Sequence, residues 1–141
     1  MRNNVLFASA LLAATIGGAQ AGGITVSDAW MRALPASVPS GGYFALRNGT
    51  AKPVTLTTAQ SPACGMLMLH KSSGMAGMSS MDDVSDLVVP AGGTVKFSPG
   101  GYHLMCMQAK LKPGQPVPVT LNFQDGAKVT ATFAVRNAAG K

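Results

Sequence analysis

The stretch Val117–Val135, VPVTLNFQDGAKVTATFAV, decides the fold class of this chain. Two β-like runs, Val117–Phe123 and Lys128–Val135, flank the four residues Gln124–Ala127, which include the Asp-Gly pair typical of hairpin turns. The stretch therefore predicts two antiparallel strands joined by a short turn.

The chain upstream repeats this pattern of short β-like runs separated by Gly, Pro and Asn. Apolar residues nowhere recur at helical spacing over three turns. Strands at such short intervals predict an all-β domain, an antiparallel sandwich or barrel. A Met/Ser/Gly-rich segment, Ser72–Ser80, is expected to be a loop. The other predicted strands are Ile24–Ala33, Tyr43–Asn48, Pro53–Ala59, Gly65–His70, Leu87–Val89, Thr94–Phe97 and Tyr102–Met107.

The N-terminus has the features of a secretory signal peptide. Arg2 precedes an apolar run, and Ala19-Gln20-Ala21 predicts cleavage after Ala21. The apolar run is too short for a permanent bilayer span. We therefore expect residues 1–21 to be a signal peptide, residues 22–136 one exported domain without stable membrane insertion, and residues 137–141 a disordered tail.

The charge distribution argues against nucleic-acid binding. Only 11% of the residues are charged, and removing Arg2 with the signal lowers the formal net charge from +6 to +5. The basic residues are dispersed and not interleaved with aromatics, so they form no stripe suited to a phosphate backbone. A solvated, mildly basic surface is the simpler interpretation.

The segment His70–Met107 holds both histidines and five of the nine methionines. His70, Met81, His103 and Met105 can be grouped as two imidazoles and two thioethers. Such a soft, uncharged donor set suits Cu(I) and suits hard ions poorly. His103 and Met105 would share one face of a strand, and Met81 would end a flexible loop able to cover the metal.

The other methionines have competing interpretations. A methionine in a β protein is most often core filler, and Met66 and Met68 are predicted to be buried on that ground. Met75 and Met78 lie among Gly and Ser, where they are either indifferent loop residues or auxiliary metal-binding thioethers beside Met81.

The sequence resembles the periplasmic copper chaperones of the PCu(A)C family. The family spacing H-x10-M-x21-H-x-M is met by His70, Met81, His103 and Met105, and similar segments are Asp28–Ala33, Pro99–Met105 and Val117–Gly126. The resemblance implies a Greek-key, cupredoxin-like β-barrel or sandwich that binds one Cu(I) per chain through those four residues. It further implies that the protein passes copper to the binuclear copper centre of cytochrome oxidase, directly or with a thioredoxin-like partner chaperone. We expect a monomer without enzymatic activity, because the predicted site would hold a metal and not a substrate.

Cys64 and Cys106 fall outside the family pattern. Two cysteines in an exported protein favour a disulfide. Strand alternation argues against this disulfide, because it places Cys106 on the face opposite His103 and Cys64 on the same face as His70. A bulge at Gly65 would shift Cys64 to the other face and remove the conflict. Alternatively the reduced thiolates join the copper site. The sequence contains no C-x-x-C motif, so a thioredoxin-type oxidoreductase is not expected.

Three rival functions stay open at this stage. The protein could sequester copper for tolerance, or it could be a β-sandwich adhesion or assembly module whose methionines are structural. A blue-copper electron carrier would need a cysteine ligand beside two histidines, and Cys106 is predicted to face away from His103.

Overall fold

The computed structural model describes residues 20–75 and 78–141, with side chains for residues 22–72 and 82–141. The described chain is entirely β, as the sequence predicts. The eleven strands are β1 (Gln20–Ala21), β2 (Ile24–Arg32), β3 (Ser40–Asn48), β4 (Val54–Gln60), β5 (Met66–Met75), β6 (Met78–Asp83), β7 (Leu87–Val89), β8 (Thr94–Phe97), β9 (Tyr102–Met107), β10 (Val117–Phe123) and β11 (Lys128–Arg136).

The strands form one continuous sheet in the order β6-β5-β9-β3-β2-β11-β10-β4-β7, with β1 added to β2 and β8 to β3. Every pairing is antiparallel except that of β11 with β2. The predicted all-β sandwich or barrel is confirmed. No helix that could cross a membrane occurs in the part of the chain that the structure describes.

The β10–β11 hairpin forms where the sequence predicts it. Asn122 pairs with Lys128, and the Phe123 amide donates to the Ala127 carbonyl at 2.9 Å. Gly126 has φ +89°, which only glycine adopts without strain, and its amide donates to the Phe123 carbonyl at 3.0 Å. The turn is thus fixed by local residues, which explains why the sequence alone reveals it.

One core lies on the inner side of the curled sheet. Residues of β11 alternate strictly between exposed and buried, and Phe133 packs between strands with its ring centroid 5.6 Å from that of Phe44. From β5 the core receives Leu67 and Leu69, and from β9 it receives Leu104 and Cys106. The alternate positions of β5 and β9 therefore lie on the face turned away from this core, which we call the outer face.

Within the segment Ser72–Ser80, the described residues 72–75 and 78–80 lie in strands and not in the loop that the sequence predicts. β5 continues to Met75 and pairs with β6 in antiparallel register, from His70 opposite Asp83 to Met75 opposite Met78. Residues 76–77 lie outside the described residues. Amino-acid composition does not predict these strands, because Ser and Gly have low β-propensity. Backbone pairing with the neighbouring strand holds them in the extended conformation.

The C-terminal residues 137–141 form a turn, which is at odds with the predicted disorder. The Asn137 side-chain oxygen accepts hydrogen bonds from the amides of Ala139 and Lys141, both at 3.0 Å. Arg32 Nη1 donates to the Ala138 carbonyl at 2.8 Å. An Asn-capped turn and one long-range contact thus order a segment whose small residues suggest none.

At the other end, residues 1–19 lie outside the described residues. β1 lies just upstream of the predicted cleavage point and pairs with the start of β2, Ala21 opposite Ile24. Cleavage after Ala21 stays a prediction.

Candidate metal centre

The register between β5 and β9 places the two histidines directly opposite each other. His70 pairs with His103, and their ring centroids lie 5.8 Å apart at an interplanar angle of 72°. Both residues are on the outer face yet buried, with 8% and 6% of their surface exposed. Two residues separated by 33 positions in the sequence are therefore joined as one cross-strand pair.

The hydrogen bonds of His103 leave one ring nitrogen available as a ligand. Its Nδ1 lies 3.0 Å from the Gly101 carbonyl, which can only accept, so Nδ1 holds the proton of the neutral ring. Nε2 is buried and has no hydrogen-bond partner among the described residues. A backbone carbonyl that fixes Nδ1–H and leaves Nε2 bare is the arrangement found for metal-binding histidines.

His70 is placed similarly, with a carboxylate nearby. Its Nδ1 is buried without a hydrogen-bond partner within the described part of the chain. Asp83 Oδ1 lies 2.7 Å from Nε2, a close ionic contact that lacks hydrogen-bond geometry, and the Asp83 side chain is largely exposed. Because buried nitrogens are normally satisfied, the unpartnered nitrogens of this pair fit a metal ligand set better than a structural role.

Met105 joins the pair from two residues along β9. It lines, with His103, an open cavity of about 220 Å³. Across β3 its partner is Gly41, and a Cβ at Gly41 would collide with the Tyr43 hydroxyl, which lines the same cavity. The glycine at position 41 therefore leaves room for the Tyr43 side chain in this cavity.

Met81 belongs to strand β6 and not to a flexible loop, so the predicted lid is wrong. Its backbone pairs with Ser72, two residues beyond His70. Alternate residues of a strand lie on the same face, and so do residues paired across two strands. Position 81 therefore lies on the outer face, as His70 does. The side chain of Met81 lies outside the described residues, and its role as a ligand stays a prediction.

Met75 and Met78 pair with each other near the end of the β5–β6 hairpin. Met75 is five residues from His70 along one strand, about 17 Å away, and it occupies the alternate set of positions. Their side chains also lie outside the described residues. The backbone separation favours Met81 over either residue as a partner of His70.

The two cysteines are joined by a disulfide, with an S–S distance of 2.00 Å. Cys106 points into the core, away from His103, as strand alternation predicts. No bulge at Gly65 is needed, because β5 begins only at Met66 and Cys64 lies in the preceding turn, where its amide donates to the Ser61 carbonyl. The sulfurs are consequently remote from the donor nitrogens, which excludes a cysteine-ligated blue-copper centre in this disulfide form.

Sequence reasoning missed the position of Met66 and Met68. Both are predicted to be core residues, but the core residues of β5 are Leu67 and Leu69, and Met66 is 57% exposed. The spacing did indicate their position, since Met66, Met68 and His70 are two residues apart and lie on the same face of the strand. A continuous apolar run conceals which face is buried until its partner strand is known.

The sequence profile of the LpqE-like family, "Putative lipoprotein LpqE-like", matches residues 24–135. The chain belongs to this family. A relative of the LpqE-like chain, "Putative lipoprotein Lxx21020" of Leifsonia xyli subsp. xyli, is 32% identical over 126 residues, which cover 87% of this chain and 75% of the relative.

Solved PCuAC structures share the fold of this LpqE-like chain. The copper-bound PCuAC domain from PmoF2 matches with a TM-score of 0.70 at 22% identity, over 86% of this chain and 99% of that domain. Apo-DR1885 from Deinococcus radiodurans is 33% identical, with a TM-score of 0.62 over 97% of this chain and 94% of DR1885. The Cu(I) form of DR1885 matches with a TM-score of 0.61 at 33% identity, over 79% of this chain and 78% of that chain. The resemblance to PCu(A)C proteins and the cupredoxin-like fold it implies are confirmed.

Proposed function

We propose that this LpqE-like protein is an exported Cu(I)-binding metallochaperone. His70, His103, Met105 and Met81 would hold one Cu(I) ion per chain, and the protein would release it to an acceptor. The single observation that supports this most strongly is the cross-strand histidine pair with its bare, buried Nε2 atom on His103. DR1885, 33% identical to this chain, was solved in a Cu(I) form, which supports the choice of metal.

The donor set favours the cuprous state. Two neutral imidazoles and two thioethers add no negative charge, so the bound ion keeps its single positive charge, and the soft sulfurs disfavour Cu(II). We expect a binding function without catalysis, because the proposed site would hold a metal and not a substrate. We expect tight Cu(I) binding, weak Cu(II) binding and no enzymatic turnover.

The half-buried position of Met105 supports transfer by ligand exchange. Met105 and His103 line the same open cavity, and Met105 is half-buried whereas both histidines are buried. A cysteine or methionine of an acceptor can therefore approach the ion from the thioether side while the histidines still hold it. The acceptor proposed is the copper centre of cytochrome c oxidase, reached directly or through a thioredoxin-like chaperone, and the protein would act as a periplasmic monomer.

The test is a competition titration against a Cu(I) chelator under anaerobic conditions. Met105→Leu keeps the apolar volume and removes the sulfur. We expect it to lower the Cu(I) affinity by at least about 10-fold, because loss of a residue that only orients a ligand already costs that much. Met31→Leu is the matched control, since Met31 is fully buried in the core on β2, and it should bind as the wild type does.

Equal affinity of the Met105→Leu and wild-type proteins would contradict the proposed site. A wild-type protein that takes up no Cu(I) would refute the function itself and favour the assembly-module alternative. A deletion strain with normal oxidase but increased copper sensitivity would favour sequestration over delivery.

A further inference from the structure

From the histidine pair toward Met66 and Met107, every outer-face position of β5 and β9 is a methionine. The cross-strand pair after His70 and His103 is Met68 with Met105, and the next is Met66 with Met107. We call Met66, Met68, Met105 and Met107 the methionine ladder. The copper site already proposed uses Met105 alone, which leaves three thioethers without an assigned role.

Packing does not explain these three residues. The core side of the same strands is filled by leucines and Cys106, and Met66 is 57% exposed while Met68 and Met107 are half-buried. The contrast is Met31, fully buried in the core, where a methionine fills space. An exposed sheet face more often has β-branched or polar side chains. A continuous row of thioethers there is better explained by ligand binding than by packing.

The spacing allows several sulfurs to reach one ion. Directly opposed residues have Cβ atoms about 5 Å apart, and successive same-face positions along a strand are about 7 Å apart. A methionine side chain has three rotatable bonds, so it can adapt its sulfur position over such distances. Met66, Met68 and Met107 can therefore converge on one ion next to the Met105 side of the first site.

We propose that Met66, Met68 and Met107 form a second, thioether-only site for Cu(I), adjacent to the histidine-containing site and linked to it by Met105. The inference rests on the proposed function and adds the route by which the ion enters and leaves. Because thioethers are neutral and soft, this site accepts Cu(I) or Ag(I) and rejects zinc, magnesium and calcium.

Transfer along the ladder needs no change in oxidation state. The ion keeps its bond to the Met105 sulfur while a bond to Met68 forms and a bond to a histidine nitrogen breaks, so it moves as Cu(I) throughout. The exposed site lacks imidazole donors and binds more weakly than the buried one, as an exchange site requires.

The experiment is a silver titration of the full exported chain, disulfide intact, in chloride-free buffer. Ag(I) is a soft monovalent probe that does not cycle between oxidation states. Methionines are labelled with 13C in the terminal methyl group, and each methyl resonance is assigned from a single Met→Leu variant. We expect the Met105 methyl to shift with the first equivalent and the methyls of Met66, Met68 and Met107 to shift with the second.

The decisive variant is Met66→Leu combined with Met107→Leu, which leaves the residues of the first site unchanged. It should lose the second equivalent and bind the first with wild-type affinity, whereas Met31→Leu should bind both. Retention of the second equivalent by the double variant would overturn the second site, as would a second equivalent that shifts Met75 and Met78 instead. If the first equivalent binds and no second follows, the ladder proposal fails and the chaperone proposal stands; if neither binds, both fail.

Discussion

Replacing His103 by asparagine lowers the Cu(I) affinity by at least about 100-fold and leaves the fold intact. The side-chain amide of asparagine can occupy the place of Nδ1 and donate to the Gly101 carbonyl, 3.0 Å from Nδ1 in the wild type. It has no counterpart of Nε2, the bare nitrogen. Loss of a residue that merely orients a ligand costs 10- to 100-fold in metal affinity, and the loss of a ligand itself should cost more.

The measurement is the same chelator competition, accompanied by a thermal melt of the metal-free protein. The apo melting temperature should stay close to that of the wild type, because the hydrogen bond to Gly101 is kept. His103→Ala serves as the comparison in which both the hydrogen bond and the ligand are lost. A His103→Asn protein that is stably folded and binds Cu(I) as the wild type does would show that the histidine pair is structural.

Removing the disulfide by the double substitution Cys64→Ser and Cys106→Ala should lower the free energy of unfolding by about 4 kcal/mol. The bond closes a loop between residues separated by 42 positions, and the chain-entropy model gives a cost of that size for such a loop. Cys106 is fully buried and needs an apolar replacement, whereas Cys64 is only partly buried. Urea unfolding measures the change, and wild type treated with a reductant should lose a similar amount.

The same double variant separates stability from metal binding. Since the sulfurs face the core and the turn before β5, they are not donors, and the folded variant should bind Cu(I) with unchanged affinity. A stability loss below about 1 kcal/mol would contradict the role assigned to the disulfide. A large loss of Cu(I) affinity in the folded variant would instead support the alternative in which thiolates join the site.

Local patterns in the sequence were enough for most of the strands. The β10–β11 hairpin is fixed by its own turn, and β7, β8, β9 and β10 have the predicted bounds. The β5–β6 hairpin could not be found in this way, because Ser72–Ser80 has neither alternation nor β-branched residues and its strands are set by pairing. The C-terminal turn likewise depends on Arg32, more than one hundred positions away.

The grouping of His70, His103 and Met105 could be predicted because only two histidines exist and a matching family spacing connects them. What the sequence could not show is the register that opposes the two rings, the carbonyl of Gly101 that fixes the tautomer, or the placement of Asp83 next to His70. The exposure of Met66 was missed for the same reason, since only the partner strand reveals which side of an apolar run faces the core.

The central claim is that the paired histidines and two methionines together hold one Cu(I), and X-ray absorption spectroscopy of the protein loaded with a single equivalent tests it most directly. The account predicts a cuprous edge and a first shell of two nitrogen and two sulfur scatterers, with imidazole multiple scattering that is reduced in His103→Asn. A shell of sulfur alone, or one of nitrogen and oxygen alone, would contradict it.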